Sequence, residues 1–218
     1  MKNFSALLLL LVTQTAGAII YDATSQFDSD KNPSGVWSYG WMPNDFSLFN
    51  VYPDSRIEPK LGKSTVWYQK SVGTEPNVWR NDSKETWYKI PPGQLGLHPG
   101  SNGQPSVLRF TAPSDGIADI KWEFYAGDNG AMKLGVRNAN DFLWNELDSG
   151  LSGLADYDFL KSDILDFMVY GGYSYGNTGL AVKIDFTESE KKVPEPTPLA
   201  LLMLGLIGLH FSRKAKKT

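Results

Sequence analysis

Four stretches of the chain alternate apolar and polar side chains with a period of two. In residues 118–124 the even positions Ala118, Ile120, Trp122 and Phe124 are apolar, and Asp119, Lys121 and Glu123 are charged. Met132, Leu134 and Val136 alternate with Lys133, Gly135 and Arg137, and Leu165, Phe167 and Val169 with Asp166 and Met168. Leu180, Val182, Ile184 and Phe186 alternate with Ala181, Lys183 and Asp185. Such alternation predicts strands with one dry and one wet face. Residues 106–111 read as a further strand, as do 36–42, 46–51, 66–72, 85–90 and 142–148.

Turn signals separate these segments: Asn-Pro-Ser-Gly at 32–35, Pro-Pro-Gly at 91–93, Ser-Asn-Gly at 101–103, Ser-Asp-Gly at 114–116, Asp-Asn-Gly at 128–130 and Gly-Gly at 171–172. About ten short strands without a long helix predict an all-β fold, an antiparallel β-sandwich of jelly-roll type. Residues 19–190 form this single expected domain, and no repeat is visible. Aromatics at 13%, 21 Gly and 13 Pro suit strands and tight turns better than a helical bundle.

Both chain ends depart from this pattern. Lys2 precedes an apolar run at 4–12 too short to span a bilayer, followed by the small-x-small triplet Ala16-Gly17-Ala18. This order reads as a signal peptide, residues 1–18, cut after Ala18. At the other end Pro194, Pro196 and Pro198 stand in a linker, 191–198, ahead of an apolar run at 199–211. As a helix that run spans only about 20 Å, against about 30 Å of hydrocarbon. Arg213, Lys214, Lys216 and Lys217 in the tail, 212–218, would flank the membrane and hold the tail in the cytoplasm. A short, glycine-punctuated transmembrane helix suits a temporary hold. A plain permanent anchor is the alternative.

The sequence Val193-Pro194-Glu195-Pro196, the short Leu/Gly-rich span and the basic end together resemble the PEP-CTERM sorting signal. The resemblance implies export from a Gram-negative bacterium, an inner-membrane intermediate, recognition by an exosortase and delivery to the cell surface or extracellular matrix. His210 within the span departs slightly from the pattern. The body also carries a familiar order: Asn-Pro-Ser-Gly-Val-Trp-Ser-Tyr-Gly at 32–40, Asn-Val-Trp-Arg-Asn at 77–81, Leu-His-Pro-Gly at 97–100, Ser-Val-Leu-Arg-Phe-Thr-Ala-Pro at 106–113 and Asn-Thr-Gly-Leu at 177–180. It is similar to galactose-binding-like and carbohydrate-binding modules of secreted bacterial proteins. That resemblance implies a jelly roll and, by analogy of fold, sugar binding. Related modules often carry Asp in the closing turn, where this chain has Asn177.

Composition narrows the chemistry. The absence of cysteine excludes disulfides, thiol nucleophiles and cysteine metal sites. Of two histidines only His98 lies in the body, so no site with two His ligands can be built there. Residues 19–192 hold 16 Lys/Arg and 23 Asp/Glu, a net of −7 that argues against nucleic-acid partners. Asp28 and Asp30 are spaced as in a calcium loop, but Pro33 and Tyr39 replace its Gly and Glu, and a turn is the better explanation. No other cofactor is expected, and a structural calcium ion at Asp28 and Asp30 is the weak exception.

Among seven tryptophans, Trp122 and Trp37 belong to the expected core. Trp79, with Arg80 and Asn81 beside it, suits a binding loop in which an aromatic face stacks on sugar C–H groups. In the adjacent pairs Trp67-Tyr68 and Trp87-Tyr88 one ring of each should face out, which adds Trp67, Trp87 and Tyr88 as glycan-binding candidates. No catalytic residue is assigned. His98 reads as a hydrogen-bonded turn residue, and a carboxylate pair at glycosidase spacing would arise by chance among 23 acids. The expected function is a non-enzymatic surface or matrix protein whose sandwich binds polysaccharide, exopolysaccharide being the natural partner. A structural or adhesive protein without glycan binding is the alternative, and a small polysaccharide-active enzyme the more distant one.

Overall fold

The structure is a computed structural model that describes residues 17–128, 130–147 and 150–189. The sorting motif, apolar run and basic tail lie outside the described residues, as does the signal peptide up to Ala16. The described residues form fourteen strands. In chain order they are β1 (Ile19–Asp22), β2 (Trp37–Trp41), β3 (Asn50–Val51), β4 (Asp54–Glu58), β5 (Ser64–Tyr68), β6 (Asn77–Arg80) and β7 (Leu95–His98), then β8 (Ser106–Thr111), β9 (Gly116–Tyr125), β10 (Lys133–Arg137), β11 (Phe142–Leu147), β12 (Gly150–Phe159), β13 (Ile164–Tyr170) and β14 (Thr178–Glu188). Among the described residues the one helical element is the 3-10 turn Pro59–Leu61.

The strands form two antiparallel sheets. The larger runs β12-β9-β14-β7-β6-β5-β4, with β1 added to β14, and the smaller runs β11-β10-β13-β8-β2-β3. From β7 onward the chain crosses between sheets at almost every step, as a jelly roll does. The expected period-two faces pack inward: Ile120, Trp122 and Phe124 of β9, and Leu180, Val182, Ile184 and Phe186 of β14, are buried. They meet Phe110 and Phe167 of the smaller sheet. Phe110 lies 6.4 Å from Phe186, and Trp122 lies 6.0 Å from Phe167, centroid to centroid. Burying one such aromatic is worth about 1.5–3 kcal/mol.

Three expected strands change in the structure. Residues 46–51 pair only over Asn50–Val51, because the chain turns at Phe46, whose φ is 57°. The turn lays Phe46 and Phe49 over Met42, Val107, Met168 and Tyr170 on the outside of the smaller sheet. The expected strand 66–72 is Ser64–Tyr68 and stops at a turn where Val72 N and Gly73 N donate to Gln69 O. Residues 85–90 are not a strand but a tight turn, closed by Trp87 N to Ile90 O (3.1 Å) and Ile90 N to Trp87 O (2.7 Å). Conversely β1, β4, β6, β7 and β12 arise where no strand was predicted.

β1 begins at Ile19, immediately after the expected cleavage point, and pairs with the end of β14, Ile19 opposite Phe186. On β14 it shares an edge with β7, which pairs at 178–180 while β1 pairs at 183–186.

Candidate functional site

The register across the larger sheet puts Arg56, Val66, Trp79 and Gly96 in one row, and Tyr68, Asn77 and His98 in the next. Both rows face away from the core, since the alternate residues Trp67, Val78, Leu95 and Leu97 are buried between the sheets. This outer face carries the candidate site. A hollow of about 380 Å³ opens there, walled by Arg56, Glu58, Asn77, Trp79 and His98 from the strands and by Tyr88 and Tyr175 from loops.

The loop at 82–93 makes one wall, and Asn81 builds it. Asn81 is fully buried; its Nδ2 donates to Glu85 O and Ile90 O, both at 2.8 Å, and its Oδ1 accepts from Ser83 N and Oγ. The loop folds back so that Ile90 and Trp87 cover Trp79, Val66 and Leu61. At its tip Tyr88 and Lys89 both take positive φ, 50° and 62°. Tyr88 stands edge-on to Trp79, 84° between planes, and is 47% exposed.

The opposite wall is held by a hydrogen-bond chain. Trp79 Nε1 donates to Asn177 Oδ1 at 3.3 Å, and Asn177 Nδ2 donates to Asp128 Oδ2 at 3.1 Å. Gly127 permits this approach, because a Cβ there would stand 1.7 Å from the Asn177 carbonyl oxygen. Beside them Tyr175, at φ 57°, is 71% exposed. Non-glycine residues at positive φ store backbone strain of a kind that clusters at ligand sites. Three of the seven in the described chain are in or beside this hollow.

The floor holds polar atoms that the protein itself does not satisfy. Asn77 is 5% exposed; its Nδ2 donates to Thr74 O at 3.0 Å, and its Oδ1 accepts nothing. Arg56 Nε is buried without an acceptor, its guanidinium 5.1 Å from the Tyr68 ring. A buried amide or guanidinium group left unpaired costs about 1–3 kcal/mol. Glu58 accepts from Lys60 N at 3.4 Å and Glu75 from Thr74 Oγ1. His98 Nδ1 lies 2.7 Å from Pro99 O, placed to donate to that carbonyl.

The expected site residues divide. Trp79 and Tyr88 line this hollow and Trp87 packs beneath the loop, but Trp79 is 2% exposed, so it is the floor and not a free platform. The expected loop at Trp79-Arg80-Asn81 is a strand running into a turn, so its side chains point to opposite faces. Arg80 reaches inward over Phe27, 5.4 Å from the ring, and pairs with Asp82 at 2.6 Å. Trp67 is the inward member of its pair, stacked on Tyr39 with Nε1 donating to Asp28 O. Of each aromatic pair the tyrosine is the more exposed ring.

Asp28 closes a turn. Its Oδ1 accepts from Asp30 N (2.8 Å) and Lys31 N (3.0 Å), and its Oδ2 from Ser34 Oγ (2.8 Å). These hydrogen bonds, that from Asp30 N foremost, hold its carboxyl below the usual range. Among the described residues no three His, Asp or Glu side chains gather as a metal site. Tyr175, Asn77 and Arg56 were not singled out from sequence. Tyr175 had one visible sign, aromatics set in the glycine-rich stretch Gly-Gly-Tyr-Ser-Tyr-Gly at 171–176.

Residues 192–214 match the family model of the PEP-CTERM protein-sorting motif. The chain carries a PEP-CTERM sorting signal. That signal marks an exported protein handled by an exosortase through a membrane-anchored intermediate. No curated protein matches the sequence. Among solved structures, a family 29 carbohydrate-binding module is similar at 13% identity over 70% of this chain and 89% of its own, with a TM-score of 0.27. A structure described in work on the mechanism of oxalate oxidase is similar at 14% identity over 86% of this chain and 100% of its own, with a TM-score of 0.17. Both scores fall below 0.5, and neither likeness bears on what the body ahead of the sorting signal does.

Proposed function

We propose that this exported protein is a non-catalytic polysaccharide-binding protein of the cell surface or extracellular matrix, and that the hollow on the outer face of the larger sheet is its glycan site. The observation that carries this reading is the pairing of unmet polar atoms with exposed aromatic rings. Asn77 Oδ1 calls for a hydroxyl donor and Arg56 Nε for an acceptor, and a sugar hydroxyl is both. Tyr88 and Tyr175 offer rings for sugar C–H faces. The volume sits at the small end of ordinary ligand sites, which run from about 300 to 1,000 Å³.

The sorting signal supplies the context. Residues 1–18 are removed on export, residues 19–190 fold outside the cytoplasm, and the 199–211 span holds the chain in the inner membrane until an exosortase acts near Val193-Pro194-Glu195-Pro196. Exopolysaccharide is then the ligand at hand.

Polysaccharide retardation in native gels tests the site. Tyr88→Ala and Tyr175→Ala should each weaken retardation about tenfold with the melting transition retained, since losing one stacked ring costs about 1–1.5 kcal/mol. Retardation unchanged in both variants would remove this hollow from consideration. Polysaccharide cleavage by the purified protein would refute the non-catalytic reading.

A further inference from the structure

We infer that the hollow is one end of a longer groove that takes an internal segment of a neutral polysaccharide chain. This rests on the glycan-binding reading above. A second hollow, of about 740 Å³, opens on the other side of the loop at 82–93. Its liners Gln94, Ala181 and Lys183 stand at outward positions, since Leu180, Val182 and Ile184 between and beside them are core. Through these three residues the second hollow opens onto the face of the first, although Arg80 and Val182, which also line it, point inward, and the start of β14 leads from one hollow to the other.

From Asn177 in the first hollow to Lys183 in the second is six residues, about 20 Å along a strand. The outward positions between them are Gly179 and Ala181. Gly179 lies under Tyr125: a Cβ there would come within 3.1 Å of the Tyr125 Cβ and 3.2 Å of its ring. The half-exposed Tyr125 ring is thus an aromatic surface between the hollows. A single sugar ring cannot reach from Asn177 to Lys183, whereas an extended chain passes both ends and crosses Tyr125.

Unmet atoms and charge select the chain. Gln94 Oε1 in the second hollow is buried without a donor, as Asn77 Oδ1 is in the first. Both are acceptors, and hydroxyls can serve them where carboxylates and sulfates cannot, while a hydroxyl oxygen also serves the one unmet donor there, Arg56 Nε. The cations around the two hollows are Arg56, Lys60, Arg80 and Lys183, and Arg80 is already paired with Asp82. Five carboxylates stand against them: Asp22, Glu58, Glu75, Asp82 and Asp128. This is no positive well for a polyanion.

The test uses the purified protein with galactomannan, mixed-linkage β-glucan and xylan as neutral polymers and alginate as the acidic one. Retardation by at least one neutral polymer and not by alginate is expected. With oligosaccharides of the bound polymer, calorimetry should show affinity rising about tenfold or more from disaccharide to hexasaccharide. Ala181→Trp should abolish that rise. Tyr125→Ala should flatten the rise as well, and covers the case in which the larger side chain disturbs folding. A hexasaccharide no tighter than a disaccharide, or a rise that survives both variants, overturns the groove and leaves a single-ring site standing. Preference for alginate overturns the neutral chain. Retardation by none of the polymers overturns the glycan-binding reading and the groove with it.

Discussion

Replacing Arg109 by Met should convert a stable contact into a pH-dependent weakness. Arg109 of β8 stands opposite Asp166 of β13 in the smaller sheet and grips it with two hydrogen bonds, Nε to Oδ1 at 2.7 Å and Nη2 to Oδ2 at 2.8 Å. Asp166 is fully buried, and Phe49 closes over the guanidinium at 3.9 Å. Burial pushes the Asp166 carboxyl above its ordinary range, and Arg109, then Arg137, pulls it back. Without Arg109 the upward push dominates. Removing one partner of a buried ion pair costs about 3–5 kcal/mol. A carboxyl whose folded pKa is raised contributes stability that is fully present below the unfolded value and lost as pH rises through the folded value. The deficit should therefore be small near about pH 4 and complete near about pH 7. Urea unfolding followed by tryptophan fluorescence at both pH values measures it. The double variant Arg109→Met, Asp166→Leu should recover most of the loss at neutral pH, because no unpaired charge remains. A deficit equal at both pH values, or a double variant as weak as the single one, would refute the reasoning.

Gly127→Ala should cost about 1–3 kcal/mol and weaken glycan retardation together, since the new methyl would strike the backbone at Asn177 and Thr178; a melt and a retardation gel on the same sample show whether the two move together. Trp79→Ala should cost about 3–5 kcal/mol in chemical unfolding, because its ring is floor for the loop; a loss under about 1 kcal/mol would mean the loop does not rest on it. Asn81→Ala should cost about 2 kcal/mol or more by removing both links to Glu85 O and Ile90 O, and hydrogen exchange should rise at residues 83–90; unchanged exchange there would show that other contacts hold the loop. Intact-mass analysis of cell and matrix fractions should find a mature chain beginning at Ile19 and a form shortened near Val193–Pro196; a full-length C-terminus in every fraction would refute processing.

The parts of the fold most legible in sequence are those with one wet face. β9, β10 and β14 announce themselves because water selects charged residues at Asp119, Lys121, Lys133, Lys183 and Asp185. β13 shows the same alternation although Asp166 and Met168 on its outer face are buried, the first by its pairing with Arg109 and the second under Phe46 and Phe49. β6 and β7 do not, because both faces are covered there, the inner by core and the outer by the loop at 82–93, so no alternation survives. The same covering explains the error at 85–90: Trp87 and Ile90 are apolar because they roof Trp79, not because they belong to a sheet. The site followed suit. Trp79 and Tyr88 were visible as aromatics, but Asn77 and Arg56 matter for what fails to stand opposite them. That is a property of register and loop closure, which local sequence does not encode.

The pairing of β1 with the end of β14 sets how the protein stands. Ile19 and Phe186 are opposite one another, so the two ends of the sandwich leave it on neighbouring strands about 5 Å apart. Asn177, at the rim of the hollow, precedes the other end of β14, and the eleven residues of that strand put about 35 Å between the two. A tether at that pole would hold the sandwich like a lamp on its post, with the hollow beside Asn177 a full strand's length above whatever surface grips the base.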